Sequence, residues 1–335
     1  IFDIIGAGAL DYIQYIVVNQ MDVPVGRAVY TPLLNIRAGM KADLTIARLG
    51  IDHFRVITGV ADGSRDKKWF SQHLPKDGSV QLIDQTTAIC TIGIWGPRAR
   101  DIVQSITDTD MSHTEFKFGW AKEIIVGKMK VWALRISYVG DLGWEIYIPK
   151  EHGQLFWDIL WKAGKPHGII PAGIGVYGTT GRLEKGYRLY GSELESEYNP
   201  IEAGLLRPRV KKQEFIGKNA LLKLREKDPD AIMCTLTVDS HHSSNGEQRY
   251  MLGGEPILTL DGNRIVDAHG RSSYVTSAGS GPSINKHILM AYLPPKYAKD
   301  GTSLLVEYFG DQYPVTVAVA GNRSLFDPKN ERIRS

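Results

Sequence analysis

The chain has 335 residues, 43% hydrophobic and 23% charged, with a formal net charge of +3, the composition of a soluble globular protein of two or three domains. So small a charge excludes a large basic face for nucleic acid. Two cysteines in unrelated contexts, Cys90 and Cys234, exclude a disulfide framework and a cysteine metal cluster and fit a reducing compartment. No apolar run approaches the ~20 residues that span a bilayer. The expected location is the cytoplasm. The chain opens at Ile1 inside a strand, so the natural start is expected further upstream; a targeting segment there would place the protein in an organelle matrix.

Residues 2–5 read as a short apolar strand that Gly6-Ala7-Gly8 turns into a helix over 9–19. Residues 30–35, 42–48 and 54–58 read as strands, with turns at Gly39 and Gly50-Ile51-Asp52. A helix is predicted over 66–73, strands over 80–82 and 90–95, and a helix opening at Gly96-Pro97, where proline suits a first turn. Strands at 123–126, 131–137 and 145–148 follow. An amphipathic helix over 155–163 carries Trp157 and Trp161 as packing residues. Residues 173–184 are predicted as a helix ending at Glu184, and 219–225 as another. The charged turn EKDPD at 226–230 marks the boundary between a body over 1–225 and a smaller unit over 231–325. The short strands expected there, at 232–238, 255–260, 264–266, 274–277, 287–293, 303–308 and 313–318, are the pattern of a small all-β barrel.

Several motifs resolve to plain structure. After Gly6-Ala7-Gly8, the third glycine of a dinucleotide fingerprint would stand where the chain has Asp11, so only a turn is expected. His241-His242 sit in the polar loop 240–248 with no partner at ligand spacing, which predicts a solvated loop. Residues 278–283, AGSGPS, lack the lysine of a phosphate loop and predict a tight hairpin. No Gly-x-Ser-x-Gly elbow is present.

Two carboxylates remain. Asp43 stands alone on its strand face between Ala42 and Leu44. It is either an edge-strand acid facing water or a partly desolvated acid in a cavity. In a cavity its proton affinity would rise toward acid–base use, or its charge would steady a cation. Glu184 lies in Arg-Leu-Glu-Lys-Gly, within residues 177–205, YGTTGRLEKGYRLYGSELESEYNPIEAGL. An acid beside aromatic rings and glycines can accept two parallel N–H bonds from a flat, nitrogen-rich ring. That segment is a candidate heterocycle pocket.

With both acids in hand, the chain resembles the tetrahydrofolate-dependent aminomethyltransferases: the T-protein of glycine cleavage and, more closely, the folate domain of dimethylglycine and sarcosine dehydrogenases. The matching stretches include YTPLLNIRAGMKADL at 30–44, GPRAR at 96–100, RISYVGDLGWEIY at 135–147, RLEKGYRLYG at 182–191, EYNPIEAGL at 197–205, FIGK at 215–218 and FDPKNER at 326–332. The resemblance implies an α+β fold of two interleaved α+β domains followed by a C-terminal β-barrel, with folate in a central channel. It implies that Asp43 sits near the reactive folate nitrogens, that Glu184 binds the pterin's amino edge, and that Tyr30 lines the same pocket. Tyr187, Tyr190 and Asp62 carry over as pocket wall only.

The implied activity is transfer of a one-carbon unit to tetrahydrofolate. The donor is a small methylated compound or an aminomethyl group on a lipoyl carrier protein. The alternative is a folate-binding or regulatory subunit without chemistry, against which the retention of both acids speaks. Two departures stand out. Asn35-Ile36-Arg37-Ala38-Gly39 replaces the relatives' Asn-Glu-Arg-Gly-Gly, and Tyr187 follows Lys185-Gly186 where folate proteins of iron–sulfur assembly carry cysteine.

Overall fold

The computed structural model describes residues 1–59, 61–207 and 209–335. The first third builds a five-stranded antiparallel sheet from β1 (Phe2–Ile5), β2 (Ala28–Leu34), β3 (Met40–Gly50), β4 (His53–Ile57) and β5 (Gln81–Asp84), in the order β2-β3-β4-β1-β5. Helices α1 (Ala9–Ile16) and α2 (Gly63–Gln72) pack on it. The buried residues of β3 alternate at Met40, Ala42, Leu44 and Ile46, because a strand turns successive side chains to opposite faces. One face therefore joins Phe2, Ile13, Phe54 and Phe70 in a core, while Asp43 and Thr45 stand on the other.

The second sheet holds β6 (Ile89–Trp95), β7 (Ala121–Val126), β8 (Met129–Leu134) and β9 (Gly143–Pro149), in the order β6-β9-β8-β7. Helices α3 (Ala99–Gln104) and α4 (Gly153–Gly164) cover it and bury Trp144, Ile146 and Phe156. On α4, Trp157 and Trp161 stack at 5.9 Å on the outer side. Ala28 and Ala47 of the first sheet meet Ala121, Leu134 and Tyr147 of the second in a small seam of mostly short side chains. That is where two sheets can approach closely.

The chain then crosses back. It passes through a π-helix (Val176–Gly181), α5 (Arg182–Glu184) and α6 (Lys218–Leu224). On the way Ile216 enters the first core and donates its N–H to the Tyr15 carbonyl at 3.0 Å. The last unit is a six-stranded antiparallel sheet of β10 (Ile232–Val238), β11 (Ile257–Leu258), β12 (Val275–Gly281), β13 (Lys286–Leu293), β14 (Ser303–Tyr308) and β15 (Asp311–Ala320). Its order is β11-β14-β15-β10-β13-β12, and it curls until its two edges touch at the bridge Pro256↔Tyr274. The closing segment ends in α7 (Glu331–Arg334) and docks on the body, where Arg135 donates to the Ile333 and Ser335 carbonyls.

The expected α+β architecture with a C-terminal barrel is present, and four local expectations are corrected. Residues 176–181 wind as a π-helix; glycines at 173, 175, 178 and 181 leave the backbone free to take the wider turn. The glycine-rich stretch at 278–281 lies inside β12, because Gly279 lets the strand pass close to Leu183 and Thr179; the turn comes afterwards, with Asn285 at φ 51°. Residues 264–266 contribute only isolated bridges. His241 is half-buried against Tyr250 (4.4 Å) and His287 (5.5 Å), while His242 stays exposed in the loop as expected.

Candidate active site

Asp43 is built into the site by register. In the β2–β3 pair Tyr30 faces Thr45 and Pro32 faces Asp43, so Tyr30 and Asp43 are diagonal neighbours on one face. The Tyr30 hydroxyl donates to Asp43 Oδ2 at 3.0 Å. β4 pairs with β3 only from Thr45 onward, so Asp43 has β2 on one side alone; the protein packed around its carboxyl, and not strand pairing, argues against an edge acid facing open water. Tyr30 is 40% exposed, yet protein surrounds both side chains on nearly every side, so they are wetted from inside a concavity. Burial pushes Asp43 up to about 6 against the Tyr30 hydrogen bond, with Asp66 and Asp62 adding to the rise. Burial likewise raises the Tyr30 phenol, and the neighbouring Asp43 charge adds to it.

The start of α2 supplies the next wall. Arg65 holds Asp62 at 2.9 Å and Asp66 at 2.8 Å, and Thr58 donates to Asp66. The Arg65 guanidinium lies 4.0 Å over the Tyr190 ring, a cation–π contact tying α2 to the returning segment. Of the residues singled out from the sequence, Asp43, Tyr30 and Asp62 thus share one electrostatic neighbourhood, and Tyr190 joins it through Arg65. Asp62 is engaged in an ion pair, so it contributes field and wall more than a free acceptor.

Tyr187 enters by another route. Its ring stacks at 6.1 Å and 18° on Tyr138, whose hydroxyl donates to the Arg188 carbonyl at 2.9 Å. Tyr138 also feels the Asp43 charge and lies 5.3 Å from Tyr177. Glu184 stands on a further flank. Its Oε1 accepts the Ser283 N–H of the barrel at 2.7 Å, and its own carbonyl accepts Phe326 N–H at 3.1 Å. Among the described residues, nothing donates to its Oε2, although the residue is 6% exposed. No contact joins Glu184 to Asp43; Tyr138 adjoins the Asp43 side and stacks on Tyr187, three residues after Glu184. A carboxylate steadied on one oxygen and unengaged on the other fits the amino edge of a flat heterocycle, with Tyr138 and Tyr187 as aromatic wall.

The second sheet brings residues that sequence reasoning missed. Glu145 and Tyr147 lie on the β9 face opposite Trp144 and Ile146, and the Tyr147 hydroxyl donates to Glu145 Oε2 at 2.6 Å. Burial raises the Glu145 carboxyl above its ordinary range, against the Tyr147 hydrogen bond and the nearby Tyr177 hydroxyl. The signal was available in Trp144-Glu145-Ile146-Tyr147, where an acid alternates with large apolar residues as Asp43 does.

Residues 1–213 match the GCVT N-terminal domain family, and residues 238–321 match the glycine cleavage T-protein C-terminal barrel domain. The chain belongs to the glycine cleavage T-protein family. An aminomethyltransferase of Thermoanaerobacter sp. (strain X514) is 30% identical over 308 residues, spanning 89% of this chain and 77% of that protein. Human mitochondrial dimethylglycine dehydrogenase is also 30% identical, over 94% of this chain but only 35% of its own length. The chain therefore spans most of the first kind of relative and about a third of the second. Glycine cleavage system aminomethyltransferase T from Bartonella henselae superposes with a TM-score of 0.81 over 95% of this chain and 82% of that one, at 23% identity, and shares the fold.

Proposed function

We propose that this T-protein family member is a tetrahydrofolate-dependent enzyme that moves a one-carbon unit from a donor to the folate. The observation that carries this reading is the Tyr30–Asp43 pair, an acid raised to about 6 inside a concavity and held by a phenol. Bound tetrahydrofolate would supply the nucleophilic nitrogen that receives the carbon. The protein's own part is to hold, orient and manage charge, which is worth several kcal/mol when the groups are preorganised. Asp43 is assigned to orienting that nitrogen or taking its proton; an acid near 6 is ionised at neutral pH and still basic enough to accept one. Glu184 is assigned to the pterin edge through Oε2, with Tyr30, Tyr187 and Tyr190 as wall and Asp62 as a source of negative field. The donor is a small methylated molecule or an aminomethyl group on a lipoyl carrier.

The test is direct. Purified protein is mixed with tetrahydrofolate and each donor, and methyl- or methylene-folate is followed by mass spectrometry. Product from one donor, lost in Asp43→Asn, is expected. Tight folate binding with no product from any donor would instead favour a silent folate-binding subunit.

A further inference from the structure

The buried acids of this protein divide by partner. Asp3 takes Arg55 at 2.8 Å, Asp66 takes Arg65, Glu193 takes Arg182 at 2.8 Å, and Glu202 takes Arg271. Glu145 differs. Among the described residues it has no ion-pair partner, and its carboxylate accepts only the Tyr147 hydroxyl, with that of Tyr177 nearby. An enclosed carboxylate without a cation is costly and is usually neutralised in some way.

The surroundings of Glu145 are aromatic and deliberately spaced. In the β6–β9 pair Gly93 faces Glu145 and Trp95 faces Gly143, so Trp95 and Glu145 are diagonal neighbours on one face. A Cβ at either glycine would clash with the indole, so both must be glycine for the ring to lie against the sheet beside the acid. The Trp95 Nε1–H donates to the Ile136 carbonyl at 3.0 Å, which fixes the ring. Tyr177, on the π-helix, lies 5.4 Å from Trp95 and 5.3 Å from Tyr138. Tyr138 in turn interacts with Asp43 and Tyr30, so this aromatic group adjoins the proposed folate-side acid.

A carboxylate among aromatic rings is the chemistry that recognises an alkylated ammonium: the rings' negative faces attract the diffuse cation, and the acid supplies the counter-charge. We propose that Glu145, with Trp95, Tyr138 and Tyr177, binds the cationic nitrogen of the one-carbon donor. This deepens the functional reading above and rests on it for the word donor. Both a protonated methylamine and an aminomethyl group carry their carbon on such a nitrogen; O-methyl and neutral S-methyl compounds do not. The donor class thereby narrows to N-linked carbon units. Tyr147 positions the acid, and the π-helix sets Tyr177 between Glu145 and Tyr138.

The experiment titrates dimethylammonium chloride and neutral dimethyl sulfide into the full chain, with and without tetrahydrofolate, by saturation-transfer NMR. The wild type should bind the ammonium and discriminate against the sulfide. Glu145→Gln should lose roughly tenfold or more in ammonium affinity. Its tetrahydrofolate affinity and thermal midpoint should stay unchanged. Trp95→Leu should weaken ammonium binding with Glu145 intact. Equal binding of the sulfide by the wild type, or undiminished ammonium binding by Glu145→Gln, overturns the proposal. If Glu145→Gln is unfolded, Tyr177→Leu, which removes a ring from the cage, replaces it, and undiminished ammonium affinity there overturns the proposal as well. Failure of the folate reading looks different: the wild type would not bind tetrahydrofolate, yet its Glu145-dependent ammonium binding would remain.

Discussion

The acids at the seam with the barrel and the acids in the concavity are both withdrawn from water, and the fold treats them in opposite ways. At the seam, Arg182 bonds Glu193 at 2.8 Å and Ser277 at 2.8 Å, and Glu193 also receives the Thr276 hydroxyl and the Leu189 N–H. The Arg182 and Glu193 charges are spent on joining α5 to the barrel. In the concavity, Asp43 and Glu145 receive phenols and keep raised proton affinities. Structural acids are neutralised by guanidinium; acids left with hydroxyls alone retain the capacity to take a proton or a cation.

The comparison can be broken in several places. Arg182→Ala should cost about 3–5 kcal/mol in urea unfolding, because it strands Glu193 without a counter-charge. A loss below 1 kcal/mol would mean that the seam is not structural. Asp43→Asn should stay folded, with a melting point at or above that of wild type, while lowering turnover by about a hundredfold or more; wild-type turnover would remove Asp43 from the reaction. Glu184→Ala should weaken tetrahydrofolate binding by roughly tenfold, as loss of a charge-assisted hydrogen bond implies, and calorimetry reads this directly.

The pH dependence sharpens the contrast further. Asp43 is raised from 3.8 to about 6 in the folded chain. Its contribution to stability is therefore fully present below about 3.8 and is lost as pH rises through about 6. Urea midpoints of Asp43→Asn should accordingly gain on wild type across that window. If the ionised form acts, kcat/KM should climb through about 6 and level off above it. The smallest effect is expected for Tyr30→Phe. Its hydroxyl holds Asp43 down, so removing it should move that limb to higher pH with only a modest loss of rate; an unmoved limb would detach Tyr30 from the acid.

Much of this was legible in the chain. The alternation in Met40–Gly50 placed Asp43 apart from the core, and the Arg-Leu-Glu-Lys-Gly run singled out Glu184. Glu145 was passed over because its strand reads as core: Trp144, Ile146 and Ile148 are buried, and nothing local announces what the other face meets. The turn expected at 278–283 lies further on because Gly279 answers a neighbour 96 residues away, Leu183, and not a local bend. The loop at 240–248 is largely exposed as expected; of its histidines only His241 departs from it, because its partners are Tyr250 and His287.

The sequence by itself determined the strands and the side of each strand that faces a core, since the two-residue period is a property of the backbone. It also determined that Asp43 lies outside its core, since Ala42 and Leu44 claim the inner face. Only the tertiary structure decided what fills the other side. Tyr30, Glu145, Tyr177 and Tyr138 come from separate strands, a π-helix and a loop, and they become neighbours where the two sheets meet at a seam of mostly short side chains. Whether a carboxylate there meets a guanidinium or a phenol depends on that approach, and with it whether the acid holds the fold together or remains available for chemistry.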